Sequence, residues 1–161
     1  GYKSANFHGI GTNYPAVQDI LKYVVDKGKS QVKNRSRVGE NLYMRGVFNS
    51  VLIAESIRTA QGKYGKRVIN GEEMRWGMEN LNLTSARMAE IGLSGFTNPI
   101  KVSCDDHANN GPIYIQQWNG TGWERVSGWI NSMDRVRPML EKAAANYKAK
   151  NNIPNRTIPC S

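Results

Sequence analysis

Apolar positions along this chain switch between helical and strand-like periods. Ala16, Val17, Ile20, Leu21, Val24 and Val25 recur at helical spacing behind Pro15, whose fixed φ suits a first helical position. Gly28 is placed to end that helix. A longer pattern runs from Asn41 to Gln61, with Met44, Val47, Val51, Ala54 and Ile57 along one face and Phe48 and Leu52 beside them. That breadth predicts a mostly buried helix. Asn70 followed by Glu73 has the form of a capping box, opening a helix over 71–80 that carries Met74, Trp76 and Met78. Thr84 caps a short helix ending near Gly92, and Ser132 caps a last helix through about Lys150.

Strand patterns are shorter. Residues 4–10 read weakly as a strand, and 99–103 as another with Ile100 and Val102 on one face. Ile113–Trp118 and Trp123–Trp129 flank Asn119-Gly120-Thr121-Gly122, and Asn-Gly is a strong hairpin signal. The polar run Lys29–Gly39 is a connection. The pattern is mixed α/β, with no internal repeat.

Composition narrows the function classes. The length of 161 residues suits one domain, and 39% hydrophobic residues can build a core. No run approaches the ~18 apolar residues of a spanning helix. The chain begins at Gly1 with no basic leader and apolar segment, which leaves a removed leader or a piece of a longer protein. The net charge of +9 raises a nucleic-acid partner as one possibility. Lysine and arginine are scattered, however, and Lys27–Arg37 reads as a solvated loop among Gly, Ser, Gln and Asn. A small basic nucleic-acid-binding domain is carried as the alternative reading.

Candidate chemistry is sparse. Gly9-Ile10-Gly11 lacks the third glycine of a dinucleotide fingerprint, and the run from Gly62 to Lys66 lacks Walker spacing. Cys104-Asp105-Asp106-His107 gathers possible metal ligands, but zinc needs three or four at recognisable spacing, and His8 is the one other histidine. A polar turn is the simpler reading. Cys104 and Cys160 are an even, widely separated pair, consistent with one disulfide in an oxidising compartment or with two thiols in a reducing one. No catalytic set emerges, so the expectation is a protein without enzymatic activity, cofactor or metal. Tyr43, Met44 and Arg45 at the start of the long helix allow two readings. Either Tyr43 and Met44 are core and Arg45 is surface, or all three face a cleft where the helix end and the arginine fork receive a carboxylate.

Several segments resemble a known family. Gly1-Tyr2-Lys3 through Ile20-Leu21, Val38-Gly39-Glu40-Asn41-Leu42-Tyr43-Met44-Arg45-Gly46, and Ala54-Glu55-Ser56-Ile57-Arg58-Thr59-Ala60 look like parts of type I periplasmic solute-binding proteins of the branched-chain amino acid transport type. So do Glu72 to Leu83, Ile100-Lys101-Val102-Ser103-Cys104 with Asp105-Asp106-His107, and Ile115-Gln116-Gln117-Trp118. The resemblance implies an α/β fragment covering parts of both lobes. Residues 1–37 would lie in the C-terminal lobe, 38–112 in the N-terminal lobe, and 113–161 back in the C-terminal lobe. It implies a periplasmic, substrate-binding component of an ABC importer that captures a branched-chain amino acid or a related amino acid, amide or aromatic carboxylate. Its partners would be that small-molecule ligand, a membrane permease and the remaining N-terminal part of the same protein, and not nucleic acid. Tyr43, Met44 and Arg45 are the ligand-binding candidates on this reading.

Overall fold

A computed structural model describes residues 1–108 and 111–155. The chain divides into two compact units, one of Gly1–Asn6 with the chain from Cys104 onward, the other of Phe7–Ser103. It therefore passes from one unit to the other twice. The boundaries fall at 6/7 and 103/104, where the sequence placed them at 37/38 and 112/113. The reason lies in the first helix. Strand β1 (Lys3–Asn6) is followed by α1 (Pro15–Ile20), which continues as a wider turn over Leu21–Val25. Val17 and Leu21 are buried in the core of the second unit, and the Ala16 amide donates to the Gly92 carbonyl at 3.1 Å. The apolar face of α1 thus packs within residues 7–103.

The rest of that unit is α2 (Asn41–Tyr64), α3 (Gly71–Glu79), β2 (Asn82–Leu83), α4 (Ser85–Glu90) and β3 (Ile100–Lys101). Its core joins Val17, Leu21, Val38, Met44, Leu81, Leu83, Met88, Leu93 and Phe96. The entry to α2 is set by a close backbone approach. Gly39 has φ +97°, its carbonyl accepts from the Gly11 amide at 2.8 Å, and a Cβ there would stand 2.9 Å from the Gly11 carbonyl carbon. The capping box forms as read: the Glu73 amide donates to Asn70 Oδ1 and the Asn70 amide to Glu73 Oε2. Thr84 caps α4 through the Arg87 amide. Along α2 the expected burial is only partly realised. Met44, Glu55, Ser56 and Ala60 are buried, while Val47, Val51 and Leu52 are half-buried and Ala54 is exposed. One side of the helix is closed by α3, where Gly77 lets the backbones meet at Ser56 and Ala60.

The other unit holds a three-stranded antiparallel sheet, ordered β1, β4 (Tyr114–Trp118), β5 (Trp123–Arg125), and α5 (Met133–Lys150). The hairpin is held by Asn119, whose Oδ1 accepts from the amides of Thr121 and Gly122. Trp118 pairs with Trp123 across it. The second unit's strands β2 and β3 also pair antiparallel. Both sheets of the described residues are therefore small and antiparallel. The expected type I periplasmic binding protein architecture rests on strand–helix–strand crossovers into parallel sheets, and these strands do not form them. The fold class is corrected accordingly: helices with two short antiparallel sheets.

Candidate functional site

Consecutive helix residues project about 100° apart, so Tyr43, Met44 and Arg45 enter three different environments. Met44 is fully buried in the core. Tyr43 is half-buried and borders an apolar groove of about 600 Å³ on the second unit. Val47, Val51 and Ala54 of α2 line the same groove, with Ala16 and Ile20 of α1 opposite. Arg45 turns to a third side, toward His8. The structure does not bring the three residues to one ligand position.

His8 is the centre of the most organised cluster in this unit. It is wholly buried, with its ring packed against Phe48 and Phe96, whose centroids stand 5.9 and 5.7 Å from its own and 6.3 Å from each other. Phe7 meets its edge at 5.2 Å, and Tyr14 meets Phe96 edge-on at 5.3 Å. Both imidazole nitrogens are used. Arg45 Nε donates to Nε2 at 2.7 Å, so Nδ1 carries the proton and donates to the Gly9 carbonyl at 2.9 Å. Burial among aromatic rings pushes the imidazole below its ordinary value. The Gly9 hydrogen bond opposes that shift and the positive Arg45 adds to it. A neutral histidine thus serves as acceptor for a guanidinium, which also lies over the Phe7 ring at 4.0 Å.

The sequence missed this role for His8, which reads there as a strand residue and counts only as a further metal ligand. A polar residue flanked by Phe7 and Gly9 before a turn carries no local signal that an arginine 37 positions on will reach it.

A second polar cluster fixes the helices that carry the site. Glu55 is buried and takes both Arg87 Nε at 3.0 Å and Arg87 Nη2 at 2.8 Å, with Arg58 Nε at 2.7 Å on the same carboxylate. The Arg87 hydrogen bonds hold its carboxyl below the usual carboxylate range despite burial. This joins α2 to α4 across 32 positions. Glu55 bonds three guanidinium nitrogens of arginines that also reach solvent, so the pair is structural.

The run from Cys104 to His107 is a polar turn with a specific tie: Arg137 of α5 donates to both oxygens of Asp106 at 3.1 Å. Among the described residues no group of three or more His, Cys, Asp or Glu side chains could hold a metal ion. Cys104 is not a free thiol. Its expected partner, Cys160, lies outside the described residues.

Among the described residues, seven arginines are tied to acidic partners. Arg35, Arg37, Arg58, Arg67, Arg75, Arg87 and Arg137 are each in an ion pair with a carboxylate. Two of these, Arg35 and Arg37, lie in the run once considered as a nucleic-acid arm. The nucleic-acid-binding alternative finds no support in the likeness described next and is set aside.

Comparison with known proteins gives one informative likeness. No family model and no curated protein sequence matches the chain. A solved structure described as an ABC transporter permease from the Pseudomonas fluorescens group is similar, at 36% identity and a TM-score of 0.87. The match takes in 99% of this chain and 39% of that one, so this chain spans well under half the length of that protein. Two expectations are thereby corrected. The likeness is to a protein described as a permease, not as a periplasmic solute-binding protein, and capture of an amino acid by a binding component is not carried forward. Among the described residues no helix is long and apolar enough to cross a membrane.

Proposed function

We propose that this chain works in an ABC transport system, as an extramembrane portion of a permease-like protein. The observation that carries the reading is the likeness in sequence and fold, along practically its whole length, to a protein described as an ABC transporter permease. The helices support an aqueous setting. Helix α2 presents Arg45, Arg58 and Lys63, α3 presents Glu72 and Arg75, and α5 has no buried residue. Placing any of these faces in hydrocarbon would strand charged groups at a cost of several kcal/mol each. The bound state of Cys104 favours a compartment outside the cytoplasm, where thiols oxidise. On this reading the partner is the rest of an ATP-driven transporter.

The reading is tested in the organism that carries the gene. Deletion of the gene should remove the vanadate-sensitive uptake of at least one member of a radiolabelled panel of small solutes. Restoring the full-length gene should return it. Unchanged uptake of every member of the panel would overturn the proposal.

A further inference from the structure

Arg45 differs from the ion-paired arginines of this chain in what surrounds it. Each of those seven faces a carboxylate, whereas Arg45 hydrogen-bonds to a neutral ring and lies over another. It is half-buried, so part of its hydration is gone, and no carboxylate among the described residues pairs with it in return. Nε is occupied by His8 at 2.7 Å, and the guanidinium plane is held at 4.0 Å over Phe7. Among the described residues Nη1 and Nη2 donate to nothing, and neither is a buried unsatisfied atom, so both face solvent. His8 in turn is held in place, because Phe7, Phe48 and Phe96 pack around its ring and the Gly9 carbonyl takes its other nitrogen. The result is a two-pronged donor whose third donor and whose face are already committed.

We propose that Arg45 is a preorganised binding site for a single carboxylate, with the two Nη groups as donors and His8 as the residue that positions them. Two parallel N–H donors in one plane match the two oxygens of a carboxylate. One guanidinium balances one such charge, and the Phe7 ring beside it favours a singly charged, weakly hydrated group over a phosphate dianion. Holding the fork in place beforehand removes the ordering cost that weakens most exposed arginine pairs. The carboxylate could be supplied by a small organic acid or by an acidic side chain of a protein partner, and the test below separates these. The inference stands on the local geometry and does not depend on the transport reading.

The test is a titration of the full ¹⁵N-labelled chain with sodium acetate at pH 7.5, with sodium chloride keeping ionic strength constant. The Arg45 Nε–Hε signal is assigned by its loss in Arg45→Lys. The expected result is a saturable shift of that signal in the wild type. Other reporters of the site, the amides of Phe7 to Gly9, should shift with the same midpoint and lose at least tenfold in apparent affinity in Arg45→Lys. Inorganic phosphate should bind more weakly than acetate. An N-acetylated tripeptide amide with one glutamate identifies a partner side chain if it binds at least tenfold tighter than acetate, and a small acid otherwise. A linear, non-saturating response equal in both proteins would overturn the proposal, as would phosphate binding more tightly than acetate. Because the wild type is read directly, the conclusion survives even if the variant folds poorly.

Discussion

Glu55→Gln is the substitution whose effect the structure determines most closely. The carboxylate accepts three hydrogen bonds, two from Arg87 and one from Arg58, and it is buried at 5% exposure. Breaking a buried ion pair by removing one partner costs ~3–5 kcal/mol, because the other charge is left without compensation. Here the cost is smaller, since the Arg87 and Arg58 side chains are 30% and 55% exposed and water recovers part of it. Glutamine keeps one acceptor oxygen but turns its NH₂ toward a guanidinium that has only donors. We expect a loss of ~2 kcal/mol, which for a unit of this size lowers Tm by on the order of 10 °C. Urea and thermal unfolding of wild type, Glu55→Gln, Arg87→Met and the double variant form the assay. The double variant should be less destabilised than the sum of the singles, because each single leaves the other partner stranded. The pH dependence has a definite sign. The folded Glu55 carboxyl ionises below its ordinary range, so its stabilisation is present above the unfolded value of 4.5 and is lost as pH falls through the folded one. A change under ~0.5 kcal/mol with additive singles would refute the view that Glu55 ties α2 to α4.

Gly77→Ala should destabilise by ~1–2 kcal/mol although alanine is the better helix former, because the new Cβ would stand 2.3 Å from the Ser56 carbonyl oxygen. An unchanged or raised melting temperature would contradict that packing. The His8 imidazole should titrate below 6.5 by NMR, so the unfolded chain binds the proton first. Stability should then decline as pH drops below about 6.5, with a slope of at most ~1.4 kcal/mol per pH unit from this group, and a midpoint at or above 6.5 would refute it. Cys104 and Cys160 should resist alkylation without reductant and gain two labels after reduction, while two labels before reduction would exclude the pairing.

Local signals were the legible part of this chain. Pro15, the Asn70–Glu73 box, the Thr84 cap and the Asn119-Gly120 turn act within a few residues, and the structure realises each. Burial along α2 was less legible. Periodicity marks Val47, Val51 and Ala54 as a core face, yet they border an apolar groove, while Glu55 and Ser56 are buried because Arg87 and Gly77 meet them there. The unit boundary failed for a related reason. Lys29–Gly39 looks like a linker by composition, but α1 before it and α2 after it share one core. The candidate site shows both sides of the limit. Arg45 was singled out for its chemistry, but its acceptor His8 lies 37 residues earlier and carries no pattern that periodicity can detect. The family resemblance rested on helix and strand segments of common composition, and such segments are shared by proteins of different roles.

The central claim is membership of an ATP-driven transporter, and its most direct test is physical association in the native membrane. The full-length protein, tagged at its chromosomal locus, is crosslinked in intact cells and purified from solubilised membranes. The account predicts recovery of a subunit bearing P-loop ATPase motifs in a fixed ratio, together with vanadate-sensitive ATP hydrolysis in the purified material. Purification of the protein at comparable yield with no ATPase subunit and no ATP hydrolysis would contradict it.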